Sequence, residues 1–198
     1  EFSDEAVHDF EPEKAVALAN ALKEYPHITF ESHSSDYQTA ENLKSMIDHG
    51  TGILKVGPEL TFAYREGLMA LEHIERELIG KYPGMRPSHF GDTLETVMLE
   101  SKPNYWIKYY HGTPVELKIK RKYSFSDRSR YYLSNPQIQE SIDLLLENTG
   151  KMEIPLTLIS QYLPMQYERI RDRKIENSAM ALVKDKIDCV LDRYTSAL

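Results

Sequence analysis

Two short stretches of this chain gather residues able to hold or transform a charged ligand. Glu31, His33, Ser34, Ser35 and Asp36 follow the apolar run Ile28-Thr29-Phe30, and Lys55, Gly57, Glu59 and Thr61 follow Ile53-Leu54. A lysine beside a tight Gly57-Pro58 turn that opens a helix suits anion binding, because the first N–H groups of a helix lack intrahelical partners. A third stretch, Tyr123 to Tyr132, interleaves Ser126, Arg128 and Arg130 with Asp127. Guanidinium groups match phosphate oxygens in pairs, so Ser126, Arg128 and Arg130 join His33, Asp36, Lys55, Gly57 and Thr61 as candidate phosphate or substrate ligands. Each has a plainer explanation. Lys55 could pair with Glu31, His33 could be merely hydrogen-bonded, Gly57 could serve the turn alone, and Asp127 could pin its own turn through an arginine.

The elements that would position these residues read as strand, helix, strand, helix. Ile28–Phe30 and Ile53–Val56 are short, β-branched or aromatic, and bounded by Pro26, Gly50, Gly52 and Gly57-Pro58, as buried strands are. Between them a helix over Ala40–Asp48 places Leu43 and Ile47 on one face, with Thr39 as its cap and Gly50 as its stop. A long helix over Glu59–Leu78 repeats Leu60, Tyr64, Leu68, Leu71, Ile74 and Leu78 at helical spacing, with Glu72 and Arg76 as an exposed pair. Such a βαβα unit predicts parallel strands buried on both faces and a ligand at their carboxyl ends.

Around this unit the pattern is helical. Pro12 opens a helix with Ala15, Leu18, Ala19 and Leu22 on one face. Beyond Pro87, helices are expected at 93–100, 104–110, 136–148, 156–162, 164–171 and 178–194, with one weak strand alternation at Val115–Ile119. The many tyrosines of this half are read as packing residues with one hydrogen bond each.

Composition narrows the class. The 198 residues are 41% hydrophobic and 28% charged, which fits a folded globular chain with a sizeable core. A net charge of −7 with no basic stripe argues against nucleic acid as a partner. Cys189 is the single cysteine, so no intrachain disulfide framework exists, and a reducing, cytoplasmic setting is expected. No apolar run approaches the length of a membrane span, and the acidic N-terminal stretch is unlike a signal peptide, so no membrane is expected as a partner.

Four strings carry a resemblance. HSSDYQT (33–39), ILKVGPELTFAYREGL (53–68), YSFSDRSRYY (123–132) and IPLTLISQYLPMQYERI (154–170) closely resemble the GatZ/KbaZ family, the non-catalytic Z subunit of bacterial class II tagatose-bisphosphate aldolase. Ser35 stands where the family has threonine and keeps the hydroxyl. Glu59 stands for alanine and puts a negative charge beside the anion site, and Leu133 stands for tryptophan.

The resemblance implies an α/β fold of TIM-barrel type, of which only the last two strands and their helices lie here (1–80), followed by a mostly helical C-terminal extension (81–198) packed on the barrel. A complete barrel needs eight strands and typically ~250 residues. The N-terminal half of the same protein is therefore expected outside this sequence. The resemblance further implies a cytoplasmic partner, the catalytic Y-type class II aldolase subunit, whose activity and stability this chain supports in a chaperone-like way. It places that work in galactitol or amino-sugar breakdown, with a sugar phosphate as ligand.

No cofactor, no metal and no catalytic residue of its own are expected. Glu31, His33 and Asp36 are too few for a zinc site without help from elsewhere. The competing readings are a sugar-phosphate enzyme, either a residual aldolase or the tagatose-6-phosphate kinase of older family naming, and a sugar-phosphate sensor. A kinase would want a phosphate cradle, and no GxxxxGK[ST] string is present.

Overall fold

A computed structural model describes residues 1–101 and 103–198. It shows a mixed α/β chain in which helices dominate and the described strands form one small parallel sheet. Helix α1 (Pro12–Leu22) leads to strand β1 (Phe30–Ser32), helix α2 (Ala40–Asp48), strand β2 (Thr51–Leu54) and helix α3 (Pro58–Leu78). Helices α4 (Phe90–Glu100), α5 (Pro114–Tyr123), α6 (Pro136–Lys151), α7 (Leu156–Tyr162), α8 (Pro164–Arg171) and α9 (Ala179–Thr195) follow.

The two strands pair in parallel, Phe30 with Thr51, Glu31 with Ile53 and Ser32 with Leu54, with one irregularity after Phe30. Both are displaced by about two residues from the expected runs. Ile28 donates its N–H to Tyr25 in a turn left by Pro26, so pairing begins only at Phe30. The expectation that both faces are buried fails within this chain: Glu31 and its partner Ile53 lie on an open side, with Ile53 49% exposed, and Ile28, before the pairing begins, is 60% exposed. The covered side carries Leu54, packed with Leu43, Met46, Ile47 and Tyr194.

α3 is the post against which the core is built. Leu68, Leu71, Ile74 and Leu78 project into one cluster with Phe90, Leu94 and Met98 of α4, Ile138 and Leu145 of α6, and Leu182 of α9. Gly67 permits the closest crossing, since a Cβ there would stand 3.2 Å from the Val183 Cα on α9. Two buried carboxylates of α3 hold the start of α4. Glu75 accepts hydrogen bonds from the Ser88 N–H and hydroxyl and from Asn148 Nδ2, and Glu72 accepts the Gly91 N–H at 3.1 Å. Glu72 is thus buried, and its 3.9 Å approach to Arg76 is not the exposed pair that spacing suggests.

Caps explain the helix limits. Thr39 accepts from Asn42 N at the start of α2, and Asn135 from Gln137 N at the start of α6. The Val115–Ile119 alternation is helix and not strand. Thr113 and Glu116 form a reciprocal capping box with Pro114 in the first turn, and that fixes α5 whatever its β-branched residues prefer. The stretch expected as a helix over 104–110 forms only a short 3-10 turn at Pro103–Tyr105 followed by turns, with Trp106 buried and donating to the Met98 carbonyl at 2.7 Å. α6 runs to Lys151, three residues beyond the expected end at 148. No helix among the described residues is long and apolar enough to cross a membrane.

Candidate functional site

The carboxyl ends of β1 and β2 open into a cleft of about 460 Å³. His33, Asp36, Lys55, Gly57, Ser126, Arg128 and Arg130 line it, together with Ser34, Val56, Pro58 and Phe2. Three stretches far apart in sequence therefore converge on one space. Tyr37 joins two of them: its hydroxyl donates to the Phe125 carbonyl at 2.6 Å, and its ring meets Phe2, Phe62 and Phe125. Burial, with Asp127 and Asp36 nearby, pushes the Tyr37 hydroxyl far above the ordinary range, so it serves as a neutral donor. Ser35 closes the other side, donating to the Lys55 carbonyl at 2.7 Å and lying 3.1 Å from the Tyr194 hydroxyl. Ser34, Tyr37 and Asp127 all adopt left-handed backbone, at φ 58°, 65° and 41°. Such conformations in non-glycine residues persist only where surrounding contacts impose them.

Each ionised group at the cleft has a defined task. Lys55 Nζ and His33 Nε2 both meet Glu31 Oε1, at 2.5 and 2.6 Å. The Lys55 hydrogen bond holds the Glu31 carboxyl below its usual range against partial desolvation, with His33 adding to it. Asp36 Oδ1 accepts the N–H groups of Gly57 and Glu59 at 2.8 and 2.9 Å. This corrects one expectation: the first N–H groups of α3 are not free for a phosphate, because an internal carboxylate already caps them.

Glu59 does not place its charge in the cleft either. It is buried, accepts the Tyr37 N–H at 2.6 Å and pairs with Arg193 Nη1 at 2.6 Å. Burial raises its carboxyl, opposed by those two partners. Thr61 is likewise turned away from the cleft. Its hydroxyl meets the Pro58 carbonyl at 3.0 Å and Asp127 Oδ2 at 2.5 Å.

The arginines act differently from the expected pair. Asp127 accepts from Arg65 Nε at 2.8 Å and from Ser129 Oγ at 2.7 Å, so its ion-pair partner comes from α3 and not from its own turn. Arg130 Nη1 bonds the Ser126 and Asp127 carbonyls, and Arg128 Nη1 the Tyr105 carbonyl at 3.0 Å while its guanidinium lies over Tyr109. Arg128 Nε is buried with no acceptor among the described residues. Neither arginine has a carboxylate within ion-pair distance among the described residues, so both keep their charge available to the cleft. Arg65 is the residue that sequence reading passed over. Its signal was a charged side chain four residues after Thr61 and three before Leu68, on the buried face of a helix.

The family model for D-tagatose-1,6-bisphosphate aldolase subunit GatZ/KbaZ-like proteins matches residues 1–198. The chain belongs to this family. It also superposes on the crystal structure of a probable tagatose 6 phosphate kinase from Sinorhizobium meliloti 1021 with a TM-score of 0.94 at 38% identity. That match covers 100% of this chain and 50% of the other, so the chain spans half the length of that protein. Within the GatZ/KbaZ-like chain, the strings HSSDYQT and YSFSDRSRYY supply the two loops that Tyr37 binds together, and the string beginning ILKVGP supplies the strand and helix start between them.

Proposed function

We propose that residues 1–80 are the last part of a (β/α)8 barrel, that 81–198 form a helical extension packed on it, and that the full-length protein is a non-catalytic, cytoplasmic subunit of class II D-tagatose-1,6-bisphosphate aldolase. In this reading it supports the activity and stability of the catalytic Y-type subunit, in galactitol or amino-sugar breakdown. The barrel placement draws support from a parallel pair whose outward-facing Ile53 is exposed, and from a structural match twice this chain's length. A lone two-stranded parallel sheet is rarely stable with an open apolar face, and further strands would cover it.

The observation that carries the non-catalytic reading is the commitment of the carboxylates at the strand ends. Asp36 caps α3, Glu59 holds Arg193, Asp127 holds Arg65, and Glu31 holds Lys55 and His33. A carboxylate oxygen already serving as a helix cap or ion-pair partner has fewer lone pairs left for a substrate proton or a metal. What the cleft does offer is cationic: Arg128 and Arg130, with Lys55 held on Glu31 and the Ser126 hydroxyl donated to Asp4 Oδ1 at 3.1 Å, could take the phosphate of a sugar phosphate, held without being transformed.

The test is co-purification. Full-length protein carrying an affinity tag should retain the cognate catalytic subunit at a defined stoichiometry, and failure to retain it removes this reading. A second reading, a sugar-phosphate kinase, is favoured by the same cationic cleft and by the name of the structural match. ATP-dependent phosphorylation of tagatose 6-phosphate by the pure protein would establish it in place of the first.

A further inference from the structure

We propose that Asp4 sets how tightly the strand-end cleft takes an anion, as an internal carboxylate that competes with a ligand phosphate for the Ser126 hydroxyl. The inference rests on the reading of that cleft as a phosphate site. Asp4 belongs to a short hairpin at 1–9, closed by a bridge between Phe2 and Val7 and by the Ser3 N–H, which donates to the Ala6 carbonyl at 2.8 Å. Ser3 Oγ accepts the Ala6 N–H at 3.1 Å across the same turn.

The hairpin lies on the two loops that wall the cleft. The Asp4 carbonyl accepts the Phe125 N–H at 3.0 Å, and the His8 carbonyl accepts from Gln38 Nε2 at 3.0 Å. Phe2 lines the cleft itself, with its ring edge-on to Tyr37. Residues 1–9 include Glu1, Asp4, Glu5 and Asp9 but no lysine or arginine, so the hairpin brings only negative charge to a wall that carries Arg128 and Arg130. None of its residues is fully buried, and little packing therefore holds it down.

The proton of Ser126 is the point of competition. Ser126 Oγ lies 2.9 Å from Ser124 Oγ, 3.2 Å from the Tyr110 hydroxyl and 3.1 Å from Asp4 Oδ1. The two hydroxyls can give a proton as well as take one, whereas a carboxylate only accepts and is the stronger acceptor. Ser126 therefore donates to Asp4. A phosphate oxygen arriving at Ser126 meets lone pairs with a negative charge close by, and gains the hydroxyl only by displacing Asp4. Asp4 Oδ2 lies 3.8 Å from Lys120 Nζ, beyond hydrogen-bond reach, so that charge is incompletely neutralised.

Calorimetric titration of the full-length protein with inorganic phosphate tests this. Asp4→Asn keeps the shape but leaves a neutral acceptor, whose hydrogen bond is about half as strong, so phosphate should bind about fivefold tighter or more. Glu5→Gln removes the same charge beside the same lysine without touching Ser126, and should change the affinity less than about twofold. In a Ser126→Ala background, Asp4→Asn should bring almost no gain. A rise in affinity is not a consequence of damaged folding. Equal gains from Asp4→Asn and Glu5→Gln, a gain that survives Ser126→Ala, or no gain at all would overturn the proposal while leaving the cleft reading intact. Phosphate binding indifferent to Arg128→Ala would remove the cleft reading, and the proposal with it.

Discussion

Asp127 draws together Thr61, Arg65 and Ser129 from two distant stretches, and it is almost wholly buried. Removing Arg65 would leave a buried carboxylate with hydroxyl partners only. Arg65→Met is therefore expected to destabilise by about 3–5 kcal/mol, while Thr61→Val, which removes one hydrogen bond, should cost about 1–2 kcal/mol. Urea unfolding would check both, and equal effects would contradict the ranking.

Burial also raises the Glu72 and Glu59 carboxyls above their ordinary 4.5. Such a group keeps its proton in the folded chain at a pH where the unfolded chain has lost it. Its contribution to stability thus falls as pH rises from 4.5 through the folded value. Glu31, Glu116 and Glu147 are lowered and act oppositely, in the window below 4.5. Glu72→Gln should flatten the decline of the urea midpoint as pH rises above 4.5, and an unchanged slope would count against it. At this scale residue type and spacing went far. Seven of the eight residues nominated from sequence line one cleft, but Thr61 faces Asp127, because nothing in a helix-start pattern tells which side a threonine takes.

Helix limits were legible where caps are local and strong. Ala40–Asp48, Leu156–Tyr162 and Pro164–Arg171 have the limits their flanking residues foretold. The strands moved because pairing partners, absent from any local pattern, set where a ladder begins. α5 forms against its alternation of branched residues because the Thr113–Glu116 box fixes its start. Thr113→Ala should accordingly cost about 1 kcal/mol, read as a lower urea midpoint with an unchanged slope. The α3–α9 crossing is a sharper case. A branched side chain at Gly67 would force Val183 back from a 3.2 Å approach, so Gly67→Val should destabilise by about 1–3 kcal/mol despite the loss of a helical glycine. An increase in thermal midpoint would show the two helices can separate freely.

The whole molecule presents one well-filled helical core and one thin sheet with an open side. That contrast was foreseeable only through the family resemblance, since a sequence pattern cannot state which partner covers an apolar face. It gives the chain its place in the proposal: a sheet that continues into further strands, and a cleft at the strand ends with cationic side chains, whose nearby carboxylates each already hold a helix start or a cation. The most direct measurement is the aldol cleavage rate of tagatose 1,6-bisphosphate by the catalytic subunit, with and without the full-length protein. The account predicts no cleavage by this protein alone and a several-fold rise in the rate or lifetime of the catalytic subunit when both are present. Cleavage by this protein alone, or a catalytic subunit indifferent to its presence, would contradict it.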